Sequence, residues 1–551
     1  MNENSFLANI KSSLIQNWDL PALTDFKGET ITYGEVARKI ARIHIAFEAC
    51  GLKKGDKVAL IGRNSSNWGV TFLATLTYGA VIVPILHEFT PENVHHIINH
   101  SESKLLFAGK FSWDSLDESQ MPNLEATILI EDFSILQSKN KKINEVKSLI
   151  DDLEKERFPA GFSIRDMDYY HNDQREELAM ISYTSGTTGY SKGVMLPYRS
   201  LLSNVLFANE VLKELKSGDR IVSMLPMAHM YGLAFEFLYE FVMGCHIYFL
   251  SRLPTPKIIL EAFETVKPRL VVTVPLIVEK IYKKQLLPAI NKPFVKAALR
   301  LPLVDKRILK RINERLTDFF GGNFLEIIVG GAAFNADAEK FFKRIGFKYT
   351  VGYGMTECGP IISYEDWKYI PLYSCGKAVP RMEIKINSSD PQNIPGEIVV
   401  RGDNVMLGYY KNPEATAEAL RDGWLHTGDL GILDKNGYLF IKGRSKNMIL
   451  GASGQNIYPE EIESKLNNTD FVAESVVIDS DGKIVALVYP DQDIIAAENI
   501  SDADIALKME EIRKEINTLM PAYSQIAQIK VVEEEFEKTP KKSIKRYLYT
   551  K

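Results

Sequence analysis

The chain has 551 residues, 45% of them hydrophobic, enough material for roughly two to four domains with sizeable cores. Its net charge of −5 argues against a nucleic-acid-binding protein, because phosphate backbones recruit a clustered surplus of Lys and Arg. Four scattered cysteines, Cys50, Cys245, Cys358 and Cys375, match neither a disulfide framework nor a zinc cluster and read as reduced thiols; residues 1–11 lack a charged segment followed by an apolar run, so the chain is expected to stay in the cytoplasm.

Short β-branched runs at 57–61, 104–108, 126–130, 270–273 and 325–329 alternate with helical patterns, which predicts an α/β fold of sheets covered by helices. Residues 69–86 come nearest to a membrane span, but Thr71, Thr75, Thr77, Gly79 and Pro84 interrupt them. A buried helix ending near Gly79, followed by a core strand over 80–85, explains the pattern better. His95, His96 and His100 sit on the next predicted helix; without a glutamate in zincin spacing, a solvated face explains them better than a metal site. Strands are predicted at 178–183 and 194–196. The stretch 222–250 is apolar, yet Pro226, His229, Glu236 and Glu240 would be costly in lipid. Residues 292–315 interleave Lys and Arg with Leu, Val and Ile at helical spacing and predict a solvated amphipathic helix, with contact to acidic lipid as the alternative. Past residue 376 the texture changes to strands and hairpins at 382–386, 396–400 and 438–441, around the turn Asp434-Lys435-Asn436-Gly437. A small terminal unit follows Lys446, with a helix opening at 458–463, strands at 472–478 and 484–489, and a helix over 502–519.

The strands at 178–183 and 194–196 flank the most informative segment, Tyr183-Thr184-Ser185-Gly186-Thr187-Thr188-Gly189-Tyr190-Ser191-Lys192-Gly193, with three glycines, five Ser or Thr residues and one lysine. That is the composition of a phosphate cradle: glycines let backbone N–H groups converge on an anion, hydroxyls add donors or a metal ligand, and lysine adds charge. It is not a Walker A loop, because Lys192 follows Gly189 after two residues and no Gly-Lys pair is present.

This loop resembles the signature of the adenylate-forming superfamily, which includes acyl-CoA synthetases, the adenylation domains of peptide synthetases and firefly luciferase. Gly352-Tyr353-Gly354-Met355-Thr356-Glu357 resembles that family's adenine and magnesium motif, Trp424-Leu425-His426-Thr427-Gly428-Asp429 its ribose motif, and Gly443-Arg444-Ser445-Lys446 its interdomain hinge. The segment from Phe536 to Tyr547 is most similar to bacterial long-chain fatty-acyl-CoA synthetases. The resemblance implies a large N-terminal domain of several subdomains over 1–443, a hinge at 444–446 centred on Lys446, and a mobile α+β domain over 447–551. It also implies ATP, CoA and a medium- or long-chain fatty acid as substrates and magnesium as cofactor; peripheral contact with a membrane is compatible with an enzyme of lipids.

Residue by residue, the resemblance assigns Thr184, Ser185, Gly186, Thr187, Thr188, Gly189 and Lys192 to the β and γ phosphates. Thr356 is assigned to the α phosphate, Thr184 and Glu357 to the metal, and Tyr353 with Gly354 to the adenine. Asp429 and Arg444 are assigned to the nucleotide as well, with Asp429 accepting from the ribose. Gly330-Gly331-Ala332 would pass between adenine and acyl pocket, His229 would act as a conformational gate, and Gly451, Ala452, Ser453 and Gly454 would shape the CoA channel. Met230 to Phe241 contains no aspartate to receive an amino group, which favours an unsubstituted lipid carboxylate. A carrier protein in place of CoA, or a binder of nucleotide and fatty acid with little catalysis, are the alternatives. One departure stands out. Relatives end in Thr-x-x-Gly-Lys-x-x-Arg; placing Arg546 on that arginine puts Ser543 on the catalytic lysine and Lys542 on the glycine. Lys541, Lys542 or Lys545 is expected to substitute.

Overall fold

The computed structural model describes residues 1–184, 191–251, 255–299, 301, 304–451, 455–539 and 544–550. Ser185 to Gly189, Ala452 to Gly454, and Lys541 to Ser543, all assigned above, lie outside the described residues.

The α/β expectation holds. The largest sheet among the described residues has eight strands, in the order Gly408–Tyr409, Lys192–Pro197, Leu178–Thr184, Val81–Ile85, Lys57–Ile61, Ser103–Ala108, Ala126–Leu129 and Ile135–Ser138. Its centre is parallel and apolar, as a sheet covered by helices on both faces requires. The helix Ser66–Tyr78 starts where the Ser65 side chain accepts from the Trp68 N–H and ends at Gly79, which takes the left-handed conformation at φ 85°. The threonines that rule out a membrane span are satisfied inside this buried helix: Thr71, Thr75 and Thr77 donate to the carbonyls of Asn67, Thr71 and Leu73. Trp68 stacks on Phe72 at 5.5 Å between ring centres, and Gly69 leaves the space that Phe237 fills. No helix of the described residues is long and apolar enough to cross a membrane.

A second sheet joins Arg220–Ser223, His246–Phe249, Pro21–Asp25 and Thr30–Thr32. A third, of Val271–Thr273, Ile327–Val329 and Tyr349–Val351, is parallel and ends at Gly330 and Gly352. The open carboxyl ends of such strands are where α/β proteins place ligands. The antiparallel part follows, with Met382–Asn387, Gly396–Gly402, Trp424–Leu433, Leu420–Arg421 and Leu439–Arg444 in one sheet. One continuous core runs from Phe6 to Leu439, and separate clusters occupy Ile449 onward. There the sheet of Val472–Ser480, Lys483–Pro490 and Gln528–Val531 is covered by Pro459–Leu466 and Asp502–Thr518, an α+β arrangement. This small unit touches the large one through Asn467 and Asn468: the Asn467 carbonyl accepts from Lys283, and the Asn468 amide donates to Asp337 at 2.9 Å.

Two expectations need correction. Residues 292–315 are not one helix but two, Pro293–Ala298 and Val304–Phe319, because Pro302 lacks the N–H a helix interior needs and disfavours helical geometry at Leu301. His95, His96 and His100 do not form a solvated face. All three are half-buried; the His95 ring accepts from the Asp117 N–H at 3.0 Å, His96 and His100 stack at 5.4 Å, and His100 Nδ1 lies 2.7 Å from the Tyr183 hydroxyl. Burial, with the charges of His96 and Lys411, lowers the pKa of His100.

The apolar stretch 222–250 folds as two strands around a helical segment with a π turn, and its two glutamates are fully buried. Glu236 accepts from the N–H groups of Met224 and Leu225, whereas neither carboxyl oxygen of Glu240 has a partner among the described residues. Burial drives both acids up, Glu240 from 4.5 to about 8, so Glu240 is protonated at neutral pH. A carboxyl whose folded pKa is raised contributes stability that is full below its unfolded value and is lost as pH rises through the folded value. Glu240→Gln is therefore expected to remove a fall in stability of up to about 1.4 kcal/mol per pH unit over the window from 4.5 to about 8, measured by chemical denaturation across that range.

Candidate active site

The segment Gly352 to Glu357 links two clusters. On one side, the phenol of Tyr353 donates to Asp429 at 2.7 Å, and Arg444 Nε lies 3.0 Å from the other oxygen of that carboxylate. Asp429 and Arg444 face each other across the antiparallel ladder of Trp424–Leu433 and Leu439–Arg444, so register alone sets the pair. Burial raises the pKa of Asp429, and Arg444 and Tyr353 oppose that rise. Gly428, at φ 71°, takes the left-handed conformation directly before Asp429, where the ladder with Gly396–Gly402 shifts register.

On the other side, Thr356 and Glu357 form a short 3-10 turn closed by Gly359 at φ 60°. One carboxylate oxygen of Glu357 accepts from the Tyr409 hydroxyl at 2.9 Å. The ammonium of Lys192 lies 5.0 Å from the centre of the same Tyr409 ring. Lys192 pairs with Thr184 at the open end of the hairpin Leu178–Thr184 and Lys192–Pro197, and Tyr409 pairs with Val194 on its outer edge. The predicted cradle segment joins the two strands of this hairpin in the chain, and Lys192 and the predicted metal carboxylate meet at one aromatic ring. Sequence reasoning missed Tyr409, which lies far from every motif in the chain; only the strand pairing reveals it. It also missed His100, which holds the Tyr183 hydroxyl just before the cradle.

Gly330 lies against the Tyr231 ring, 3.0 Å from where a Cβ would stand, and Gly331 adopts φ 86°. The Tyr231 hydroxyl donates to the carbonyls of Thr273 and Ile328, clamping the ends of the third sheet; Ala332 follows that turn. His229 is half-buried and caps the short helix Met230–Leu233, its Nδ1 accepting from the Tyr231 N–H at 3.3 Å. Lys446 is exposed in the turn Ser445–Asn447, directly after the strand that carries Arg444. Gly451 donates to the Gln455 carbonyl at 2.8 Å across the two-stranded ribbon preceding the small domain's first helix. Near the C-terminus Arg546 is tied to Glu463 at 2.6 Å and to the Val477 carbonyl at 2.9 Å, while Lys545 pairs with Glu537 at 3.1 Å.

The AMP-binding enzyme model matches residues 13–410, and the AMP-binding enzyme C-terminal domain model matches residues 446–551. The chain belongs to the AMP-binding enzyme family. Curated relatives of this family member include the long-chain-fatty-acid–CoA ligase of Escherichia coli O157:H7, 29% identical with 83% of this chain and 80% of that protein covered. Another is the long-chain-fatty-acid–CoA ligase FadD15 of Mycobacterium bovis, 26% identical over 94% of this chain and 90% of that protein. Among solved structures, ATP-bound MatB of Rhodopseudomonas palustris superposes with TM-score 0.75 at 24% identity, covering 100% of this chain and 98% of that one. The O-succinylbenzoate–CoA synthetase MenE of Bacillus subtilis in complex with AMP gives TM-score 0.75 at 21% identity, covering 98% of each chain. The shared fold is that of adenylate-forming enzymes, with a large N-terminal and a small C-terminal domain.

In this AMP-binding enzyme, Gly354 has no room for a side chain: a Cβ there would stand 2.2 Å from the Pro360 carbonyl oxygen. Gly354→Ala is expected to cost about 1–3 kcal/mol through overpacking. Gly352→Ala, where the nearest atom is Ile361 Cδ1 at 3.4 Å, is expected to be tolerated; thermal unfolding of the two variants checks the contrast.

Proposed function

We propose that the protein is an AMP-forming acyl-CoA synthetase that activates a medium- or long-chain fatty acid with ATP and passes the acyl group to CoA. The observation that carries this reading is the meeting of Lys192, Tyr409 and Glu357 beside the Tyr353, Asp429 and Arg444 cluster. These are a cation and a carboxylate for the phosphates of a nucleotide, and a buried acceptor for its ribose. The names of the curated relatives support the fatty acid, and the apolar, aspartate-free segment 230–241 agrees with an unsubstituted acyl chain.

In the first step an oxygen of the fatty carboxylate attacks the α phosphorus of ATP, and pyrophosphate leaves. Two anions must be held in line, so positioning and charge neutralisation carry the catalysis. We assign Thr184, Ser185, Gly186, Thr187, Thr188, Gly189 and Lys192 to the β and γ phosphates, Thr356 to the α phosphate, and Tyr353 with Gly354 to the adenine. Asp429 accepts from the ribose hydroxyls and Arg444 adds a cationic contact to the nucleotide; Gly330, Gly331 and Ala332 line the passage to the acyl pocket, gated by His229. Glu357 keeps its second carboxylate oxygen without a hydrogen bond among the described residues, and hard oxygen donors of this kind, with the Thr184 hydroxyl, fit magnesium held partly by substrate phosphates. Bound there, magnesium would neutralise charge on the phosphates.

In the second step the CoA thiol attacks the acyl carbonyl and AMP leaves. A thiol of ordinary pKa near ~8.5 is a few per cent thiolate at neutral pH, so no strong base is required. We place the domain boundary at 443, the hinge at 444–446, and the mobile domain at 447–551, with Gly451, Ala452, Ser453 and Gly454 along the CoA channel. Pyrophosphate exchange dependent on fatty acid, followed by CoA-dependent thioester formation, tests the reading. Exchange without thioester formation would point to a carrier protein as acceptor, and neither activity to a binder.

Glu357→Gln is expected to lower adenylate formation by the equivalent of about two to four kcal/mol while changing fatty-acid binding little. An activity loss below about threefold would remove Glu357 from the metal site.

The serine at 543 leaves open which lysine bridges carboxylate and α phosphate. Lys541, Lys542 and Lys545 are the candidates, and Lys545 pairs with Glu537 at 3.1 Å. Lys541→Ala, Lys542→Ala or Lys545→Ala is expected to lower exchange by about tenfold or more. If none does and Ser543→Lys raises the rate greatly, the chain is an adenylation-impaired form.

A further inference from the structure

The last two rungs of the hairpin before the predicted cradle pair Tyr183 with Gly193 and Thr184 with Lys192. The Tyr183 ring lies across the first of these rungs, since a Cβ on Gly193 would stand 3.0 Å from Tyr183 Cζ. Tyr183 is only 4% exposed, so its hydroxyl needs a partner inside the protein. His100 is that partner, with Nδ1 2.7 Å from the phenolic oxygen. The histidine stands where the hairpin meets its edge strand. It belongs to the helix Pro91–Ser101, outside the hairpin, and its ring meets those of Tyr183 and Tyr410 edge-on, at 5.8 and 5.7 Å between ring centres. Tyr410 directly follows the edge strand Gly408–Tyr409, and its N–H donates to the Gly193 carbonyl at 2.7 Å. The His100 backbone is tied to the same segment: its carbonyl accepts from Lys411 at 3.3 Å, and Lys411 pairs with Glu102 at 2.8 Å.

We propose that His100 is a positioning residue for the β and γ phosphates of the nucleotide: through the Tyr183 hydroxyl and the Tyr410 ring it fixes the hairpin end that carries Thr184 and Lys192 against the edge strand that carries Tyr409. The proposal rests on the nucleotide reading given above. A phosphate site made of backbone N–H groups and one lysine works only when the strands that present it are held to a fraction of an ångström by groups behind them. Removing the imidazole would leave the Tyr183 hydroxyl buried and unpaired, a cost that the ring escapes by turning away from Gly193, beside Lys192. Burial raises the pKa of Tyr183 and lowers that of His100, so a neutral phenol meets a neutral imidazole, which offers one donor and one acceptor nitrogen. A glutamine amide offers both as well. Tyr353, Asp429 and Arg444, assigned to the base and the nucleoside, belong to other sheets, so the effect of His100 is confined to the phosphates that the cradle holds.

Calorimetric titration of the full chain with ATP and with AMP, each in the presence of magnesium, tests the proposal. His100→Ala and Tyr183→Phe are each expected to weaken ATP binding about tenfold and to leave AMP binding within about twofold, because AMP lacks the phosphates that the cradle holds. A merely structural defect would weaken both nucleotides alike. The double variant is expected to lose no more than either single one, since both changes remove the same bond. His100→Gln, whose amide can serve the phenol, is expected to recover most of the ATP affinity. Unchanged ATP binding in either single variant, equal weakening of ATP and AMP, additive losses in the double variant, or no recovery by His100→Gln overturns the proposal. If the wild-type chain binds neither nucleotide, the nucleotide reading falls and the proposal with it. If the wild-type chain binds both and forms the thioester while the variants bind ATP as it does, the positioning role alone falls.

Discussion

Asp429 carries a buried carboxylate, and taking such a charge out of water is costly unless donors replace the lost hydration. The donors come from two directions: Tyr353, on the small sheet that continues from the third parallel sheet, and Arg444, across the ladder from Asp429 itself. The carboxylate thereby holds the end of the parallel layers against the antiparallel sheet. It also fixes the last ordered strand before the exposed turn at Lys446. The position of Tyr353, the orientation of Asp429 and the point where the chain leaves for the small domain are consequences of satisfying one charge.

The elements with strong local signals were legible in the chain. Lys57–Ile61 has the bounds its β-branched run implies, and Val81–Ile85 differs from expectation by one residue, because a continuous apolar run bounded by Gly79 leaves few other ways to pair. The helix before it stops where a glycine can take positive φ. The two strands flanking the cradle segment were legible for the same reason, whereas their antiparallel pairing shows only in the structure. Strand Leu439–Arg444 runs three residues beyond the expected 438–441, because its polar end is held by tertiary pairing with Asp429 and not by its own apolar content.

What escaped the sequence is what depends on distant segments meeting. Nothing local marks Tyr409 as the residue between Lys192 and Glu357, and nothing local separates a histidine turned to solvent from His100, tied to Tyr183. Glu236 and Glu240 punctuate an apolar run and argue correctly against a lipid environment, yet the protein interior takes them in. Glu236 holds the turn at Met224 and Leu225 that leads toward His229, and Glu240 carries its proton. The break within 292–315 was written in the sequence as Pro302; helical periodicity, which ignores a single missing N–H, hid it.

Tyr409 makes the cation and the carboxylate of the candidate site answer to each other. Its hydroxyl donates to Glu357 while its π face holds Lys192, so the negative charge on Glu357 enriches the ring and deepens the quadrupole that attracts the ammonium. Anything that draws charge from Glu357 loosens the ring's hold on Lys192. By thermodynamic linkage the converse is obligatory: an anion that lifts Lys192 off the ring changes the affinity of Glu357 for a cation by the same factor. On the proposed reading, the two halves of a metal-phosphate ligand would be coupled through one side chain before either has made contact with the other.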